Sequence, residues 1–486
     1  MISESAGAAA AREDRIPFYV IGAFGSIGLP LAALLILFGI YLPRFFVALG
    51  IPFAAVGAAV AIVRLMDVTV DPLIGFFMDR TRTAFGRFKP WLLACAPVLM
   101  IGVYMLTSAS AGVGLVYLVF WLLVTFAGYS VLALGTAAWG AVLAPSYHER
   151  SRLYGWAQGI AVTGSVLLLL LPVFTRGAVV PGRLESMPVI GWIMAIAIPV
   201  TVAICLLAVP ERSTLSSERP KFRLADYRTA LFRPSMARIA IADLALTLGP
   251  ATTAPIYVYF FKDVKGFSVA ETGFLLVFYI AAGIVGAPFW GRVARRFGKH
   301  GTMQAASVAY AICQSTLMIL PRVWPHHTPA DALPTAAAMF AVGFCASAFL
   351  LLTRAMVADV VDEVRLECGR NLTSQLYAVV TTIEKIAGAL SVSIIFPILQ
   401  MVGYDGRENA VNTPRAIFGL EMCYLFAPIM LVLIGGATYI GYGLNSKRHA
   451  DIRLALEERD SAAALETIAG PLPESGEPIG DASWTG

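Results

Sequence analysis

Three ionisable residues interrupt an apolar run that would otherwise cross a membrane uncharged: Arg64, Asp67 and Asp71, in the stretch from Val63 to Leu92. At the centre of a lipid-spanning helix each such charge costs at least ~2.5–3.5 kcal/mol, so its presence asks for a reason. Residues four apart stack one turn above another on a helix. This puts the Asp67 and Asp71 carboxylates on one face, with Arg64 one turn back. Two readings fit. In the first, Arg64 is a structural counter-ion in a helix bundle, neutralising one acid and leaving the other unmatched. In the second, the two acceptor-only carboxylates hold a small hard cation, Na+ or H+, with Arg64 as a coupling residue. Pro72 follows at once and frees backbone carbonyls nearby, as happens where a membrane helix lines a site.

The rest of the chain is built to hold such a helix in lipid. Hydrophobic residues make up 58% of its 486 residues and charged ones 14%, with a mean hydropathy of +0.75. Soluble globular chains of this length are not so apolar, and an all-α, multi-pass membrane protein is expected. Apolar runs long enough to cross ~30 Å of hydrocarbon recur twelve times. They are Phe18–Ile40, Pro52–Phe77, Trp91–Ser108, Val113–Leu143, Leu153–Thr175 and Pro188–Ala208, then Met236–Phe261, Ser268–Gly291, Met303–Leu320, Leu333–Val357, Gln375–Val402 and Ile417–Leu444.

Loop charges set the orientation. Arg80, Arg82, Arg87 and Lys89 follow span 2, Arg150 and Arg152 follow span 4, six Arg or Lys from Arg212 to Arg233 follow span 6, and Arg292, Arg295, Arg296 and Lys299 follow span 8. Lys447 and Arg448 follow span 12. By the positive-inside rule both termini are cytoplasmic, in a bacterial inner membrane. Glu4, Glu13 and Asp14 and the lack of a small-residue cleavage site make residues 1–17 a cytoplasmic tail rather than a removable signal. The six cysteines are scattered, with no CxxC and no adjacent His, and read as packing residues. The net charge of +5 is unremarkable. A small-molecule substrate and the bilayer are the expected partners, nucleic acid is not, and the expected functional unit is a monomer.

The polar stretch 209–235 divides the chain into halves at 18–208 and 236–444, followed by a polar tail at 445–486. The halves look related. Phe85-Gly86-Arg87 after span 2 returns as Phe297-Gly298-Lys299 after span 8, and Arg80 and Arg292 are separated by the same number of residues as Gly86 and Gly298. Two six-span repeats with matching loops suggest a transporter whose site lies between them. The tail is expected to form an amphipathic piece followed by disorder.

With these residues in place, the sequence resembles the glycoside–pentoside–hexuronide:cation symporters, the melibiose permease group of the major facilitator superfamily. The resemblance rests on Asp67-x-x-x-Asp71-Pro72, Asp79-Arg80-Thr81, Gly86-Arg87-Phe88-Lys89-Pro90-Trp91, Ala138-Trp139-Gly140-Ala141, Glu149-Arg150, Ala358-Asp359-x-x-Asp362, Gly369-Arg370 and Glu384-Lys385-x-x-Gly388. It implies two pseudo-symmetric six-helix halves and a cation-coupled carrier. Asp67 and Asp71 match the family's cation-binding acids. Lys385 matches its membrane-embedded lysine, Thr381 a polar position one turn before it, and Trp139 an aromatic that packs on sugar. Tyr377 and Gln158 complete the expected substrate contacts.

The departures are as informative. The family's sugar carriers have an acid in span 1, where this chain has Ile27, and another in span 4, where Gly135 stands. They have an Arg early in span 5, where this chain has Ala157-Gln158. Sugar hydroxyls need buried partners, and a site without them loses discrimination. A substrate that is sugar-like by family therefore competes with a more apolar or amphipathic one, lysolipid-like or an organic anion. Asp79, Arg80, Arg87, Asp359, Asp362 and Arg370 are expected to form ion pairs between the halves at the cytoplasmic end. No HExxH, GxSxG or paired Cys/His spacing points to an enzyme, and no cofactor is expected beyond the coupling ion.

Overall fold

A computed structural model describes residues 16–83, 85–144, 147–211, 233–323, 329–368, 373–408, 410–444 and 446–469. The described chain is helical throughout, apart from an isolated bridge between Thr83 and Gly86. In order the helices are α1 (Phe18–Ala48, with a π turn at Leu37–Tyr41), α2 (Phe53–Arg80), α3 (Lys89–Thr107), α4 (Leu115–Leu143), α5 (Tyr147–Leu169) and α6 (Met187–Ala208). They continue as α7 (Pro234–Val264), α8 (Val269–Phe297), α9 (Lys299–Ile319), α10 (Pro329–Cys368), α11 (Thr373–Met401), α12 (Pro414–Ala437) and α13 (Ser446–Ala469).

Ten of the described helices are long and apolar enough to cross a membrane; α5 and α9, at 23 and 21 residues, are as long but more polar. On α9 the buried Gln314 donates its side-chain amide to the Tyr424 carbonyl of α12 at 3.0 Å, so the polar group is satisfied inside the bundle rather than in lipid. Several boundaries move from those expected, and two of the shifts have a clear physical reason. The fifth span ends at Leu169 and is followed by a one-turn helix at Leu171–Phe174, because Pro172 cannot donate to the preceding turn. The tenth runs on to Cys368, and its extension buries Val360, Val361 and Val364.

Helices α1 to α6 pack among themselves and α7 to α12 do the same, with α2 against α11 the most extensive contact between the groups. The repeat in the sequence has a backbone counterpart: Gly86, between α2 and α3, has φ +107°, and Gly298, between α8 and α9, has φ +85°. Both equivalent turns need the left-handed region, which explains why each carries glycine. Residues 212–232 of the stretch between the halves lie outside the described residues. At the end far from these turns the groups are joined by side chains. The Ala54 amide donates to Gln400 Oε1 at 2.9 Å, Phe53 meets Phe396 edge-on at 4.9 Å, and the buried Arg44 lies 5.6 Å over the Tyr259 ring while donating to the Gly182 carbonyl.

Candidate cation and substrate site

α2 stays helical through Pro72 over 28 residues, so the one-turn spacing of Asp67 and Asp71 survives. Its apolar residues pack it against α4 on one side and α11 on the other. The approach to α11 is close. A Cβ on Gly57 would lie 3.2 Å from the Val392 carbonyl and 3.3 Å from the Ser393 Cα, so a larger residue would separate the helices. Three turns further along, the same contact brings Lys385 of α11 to both acids.

Lys385 Nζ is 2.8 Å from Asp67 Oδ2 and also hydrogen-bonds Asp71 Oδ2. Ser130 of α4 donates to the other Asp67 oxygen, Oδ1. Asp71 Oδ1 is buried and has no hydrogen-bond partner among the described residues. The cluster thus holds two carboxylates, one ammonium, one hydroxyl and one unsatisfied acceptor, contributed by three helices from both groups. Oxygen ligands of this kind suit Na+ or a proton.

Arg64 departs from expectation. Its guanidinium lies 4.4 Å over the Phe126 ring, and its Nε has no hydrogen-bond partner. Among the described residues it forms no ion pair with either acid, because the guanidinium is turned to the Phe126 ring while Ser130 and Lys385 hold the carboxylates. Arg64 instead borders an apolar cavity of about 140 Å³ between the groups, along with Phe38, Phe46, Val60, Phe126 and Val392.

The other expected site residues are spread out. Tyr377, Thr381 and Lys385 recur at four-residue intervals along one face of α11. Tyr377 donates to the Arg354 carbonyl of α10 at 3.1 Å, and Thr381 to its own helix at Tyr377. Gln158 is exposed. Trp139 is completely buried, edge-on to Phe24 at 6.3 Å with the Lys89 ammonium 5.7 Å from its ring centre. Nine residues along α4 from Ser130, ~13 Å at 1.5 Å per residue, it is not brought to the Asp67–Lys385 cluster.

Among the described residues, Asp359 and Asp362, expected to bridge the halves, take partners from the C-terminal half and from the tail helix α13. Asp359 receives Lys299 at 2.6 Å and Asp362 receives His449 of α13 at 3.1 Å. Arg80 lies 3.6 Å over the Phe76 ring, and Arg87 Nε donates to the Met78 carbonyl. Glu211 accepts from the backbone of Arg87, Phe88 and Lys89 and closes the turn after Gly86. The Asp79 side chain and Arg370 lie outside the described residues.

The span 1 and span 4 positions where the sugar-binding relatives carry charges are filled by packing, whereas Gln158 at the span 5 position is exposed. Ile27 is fully buried, and a Cβ on Gly25 or Gly28 would meet Ile160 Cδ1 at 2.7 Å or Ala161 Cβ at 2.9 Å. Beside Gly135 a Cβ would lie 2.7 Å from Leu92 Cδ1. An acid at these places would find neither space nor a partner.

A helical bundle of this kind, with a charged cluster bridging two helix groups inside apolar spans, defines a membrane transport protein of the major facilitator type. The chain belongs to the MFS/sugar transport protein family, whose model matches residues 23–446. The glucuronide carrier protein homolog of Escherichia coli (strain K12) is 23% identical over 424 residues, covering 84% of this chain and 89% of that protein. The sodium-dependent lysophosphatidylcholine symporter 1-B of Danio rerio is 22% identical over 468 residues, covering 84% of each. The crystal structure of the nucleoside transporter NupG superposes with a TM-score of 0.66 at 12% identity, covering 87% of this chain and 98% of that one, which shows the shared fold.

Proposed function

We propose that this protein is a cation-coupled symporter of a small organic solute, working by alternating access in twelve spans with both termini in the cytoplasm. The observation that carries the reading is the hold of Lys385 on both Asp67 and Asp71. A coupling cation needs the same carboxylate oxygens that the ammonium occupies, so cation and Lys385 compete. Because Lys385 belongs to one helix group and the acids to the other, the competition biases how the groups sit against each other. Asp67, Asp71 and the Ser130 hydroxyl would hold the cation, and released Lys385 would face the substrate cavity. The cytoplasmic charges Arg80, Arg87, Asp359 and Asp362 would exchange their present partners for partners across the halves when the inside closes.

For the substrate, a second reading has an observation in its favour. The cavity beside Arg64 is apolar, and the span 1 and span 4 places of the sugar-binding charges are packed shut. This favours a molecule with an apolar body and an anionic group for Arg64 or Lys385 over an unmodified sugar. A pyranose buried there would leave hydroxyls unpaired at ~1–3 kcal/mol each. The test is uptake into proteoliposomes under an imposed Na+ or H+ gradient, comparing mono- and disaccharides with amphipathic anions. Gradient-driven uptake of the anions alone is expected. Micromolar uptake of an unmodified disaccharide would return the protein to the sugar carriers, and no gradient-driven uptake of any solute would refute coupled transport.

A further inference from the structure

α7 carries one acid deep in its span, and the Asp67–Lys385 cluster does not use it. Asp243 is only 3% exposed. Its Oδ1 reaches the Thr247 hydroxyl one turn on, at 3.5 Å, and its Oδ2 has no hydrogen-bond partner among the described residues. The three helices packed against this part of α7 each turn polar groups toward it: Thr353 and Arg354 from α10, Glu384 from α11, and Tyr439 from the turn after α12. None of them forms a salt bridge with it among the described residues. The Arg354 guanidinium stands 3.5 Å from Glu384 Oε1, so its acid partner is Glu384 rather than Asp243. The Thr353 and Tyr439 hydroxyls are buried to 1% and 2% exposure, and Thr353 stands beside both Asp243 and Tyr439, though neither hydroxyl makes a hydrogen bond of good geometry among the described residues.

An ionised carboxylate cannot be held in such a place without a counter-ion, whereas the neutral acid carries no charge and gains an O–H donor. The two idle hydroxyls are the acceptors that such a donor needs. We propose that Asp243 is a proton-binding site, whose protonated carboxyl donates to Thr353 or Tyr439. The site is separate from Asp67 and Asp71 and does not rest on the role given to them. It makes the C-terminal half a proton binder in its own right, so that a proton taken up or released at Asp243 during the cycle would be a charge movement additional to that of the coupling cation.

The test is infrared spectroscopy of the purified full chain at neutral pH, comparing wild type with Asp243→Asn, the uncharged isostere of the protonated acid. The wild type is expected to show a protonated-carboxyl C=O band that Asp243→Asn removes, and Thr353→Val is expected to shift that band by deleting an acceptor. A parallel measurement is melting temperature against pH. A buried acid that keeps its proton in the fold but loses it on unfolding loses stability as pH rises, so the wild type should fall more steeply than Asp243→Asn between about pH 5 and pH 8. Should Asp243→Asn fail to fold, the band shift in Thr353→Val decides. A spectrum in which Asp243→Asn removes only ionised carboxylate, or in which the Asp243 band moves with Na+ at fixed pH, would overturn the proposal.

Discussion

Lys385 and Asp67 meet at 2.8 Å across the boundary between the two helix groups, with the same ammonium also bound to Asp71. One lysine holding two acids leaves the cluster one positive charge short. In lipid that imbalance is costly, and a cation at Asp71 Oδ1, which has no hydrogen-bond partner among the described residues, would relieve it.

Removing the lysine should make folding depend on the cation. In Lys385→Met the two carboxylates keep only Ser130 for company, and breaking a buried ion pair from one side costs ~3–5 kcal/mol. The melting temperature is expected to fall in cation-free buffer and to recover on adding Na+ or acid. A Lys385→Met protein as stable as wild type without either would show that the ammonium does not balance these acids.

Ser130 should tune the site without building it. Its hydroxyl donates to Asp67 Oδ1, and a typical hydrogen bond contributes ~1 kcal/mol, somewhat more to a charged acceptor. Ser130→Ala is expected to fold normally and to bind the coupling cation about 5–10-fold more weakly, as read from the cation concentration for half-maximal stabilisation. An unchanged midpoint would remove Ser130 from the cation shell.

Gly57 should set the distance on which the cluster depends. A Cβ there meets the α11 backbone at 3.2 Å, so Gly57→Val must push α2 from α11. Loss of cation-dependent stabilisation, although no charged residue has changed, is the expected outcome. Wild-type cation response in Gly57→Val would mean that the helices adjust without disturbing Lys385.

Topology can be checked apart from chemistry. Tags at both termini and in the stretch 212–232 should all be reached from the cytoplasmic side alone. One tag exposed outside would break the arrangement of two six-span halves.

The sequence makes Asp67 and Asp71 conspicuous because a charge in an apolar run is expensive and their four-residue spacing fixes a shared face. Lys385 becomes visible through the Glu384-Lys385-x-x-Gly388 resemblance. What remains hidden depends on how the helices are rotated. Arg64 precedes Asp67 by one turn and looks like its counter-ion, yet the face of α4 that meets α2 offers it Phe126 and gives Ser130 to the acid. Ser130 carries no signal of its own, being a small hydroxyl in an apolar span. Asp243 carries the same signal as Asp67, an acid in lipid, but without a second acid at helical spacing to draw attention to it. The pairing of Asp359 with Lys299 and of Asp362 with His449 belongs to one arrangement of the halves, and a list of charged loops does not specify an arrangement.

The central claim is that Asp67 and Asp71 together bind the coupling cation. It is tested most directly by titrating the melting temperature of purified protein with Na+, and separately with H+, in wild type, Asp67→Asn and Asp71→Asn. A cation that binds only the folded state stabilises it progressively, by ~2.7 kcal/mol at a hundred times its dissociation constant. The account predicts saturable stabilisation by one of the two cations in wild type and its loss in both variants, each still folded because Lys385 keeps one acid as partner. Wild-type cation response in both single variants would contradict it and leave the two acids as structural partners of Lys385.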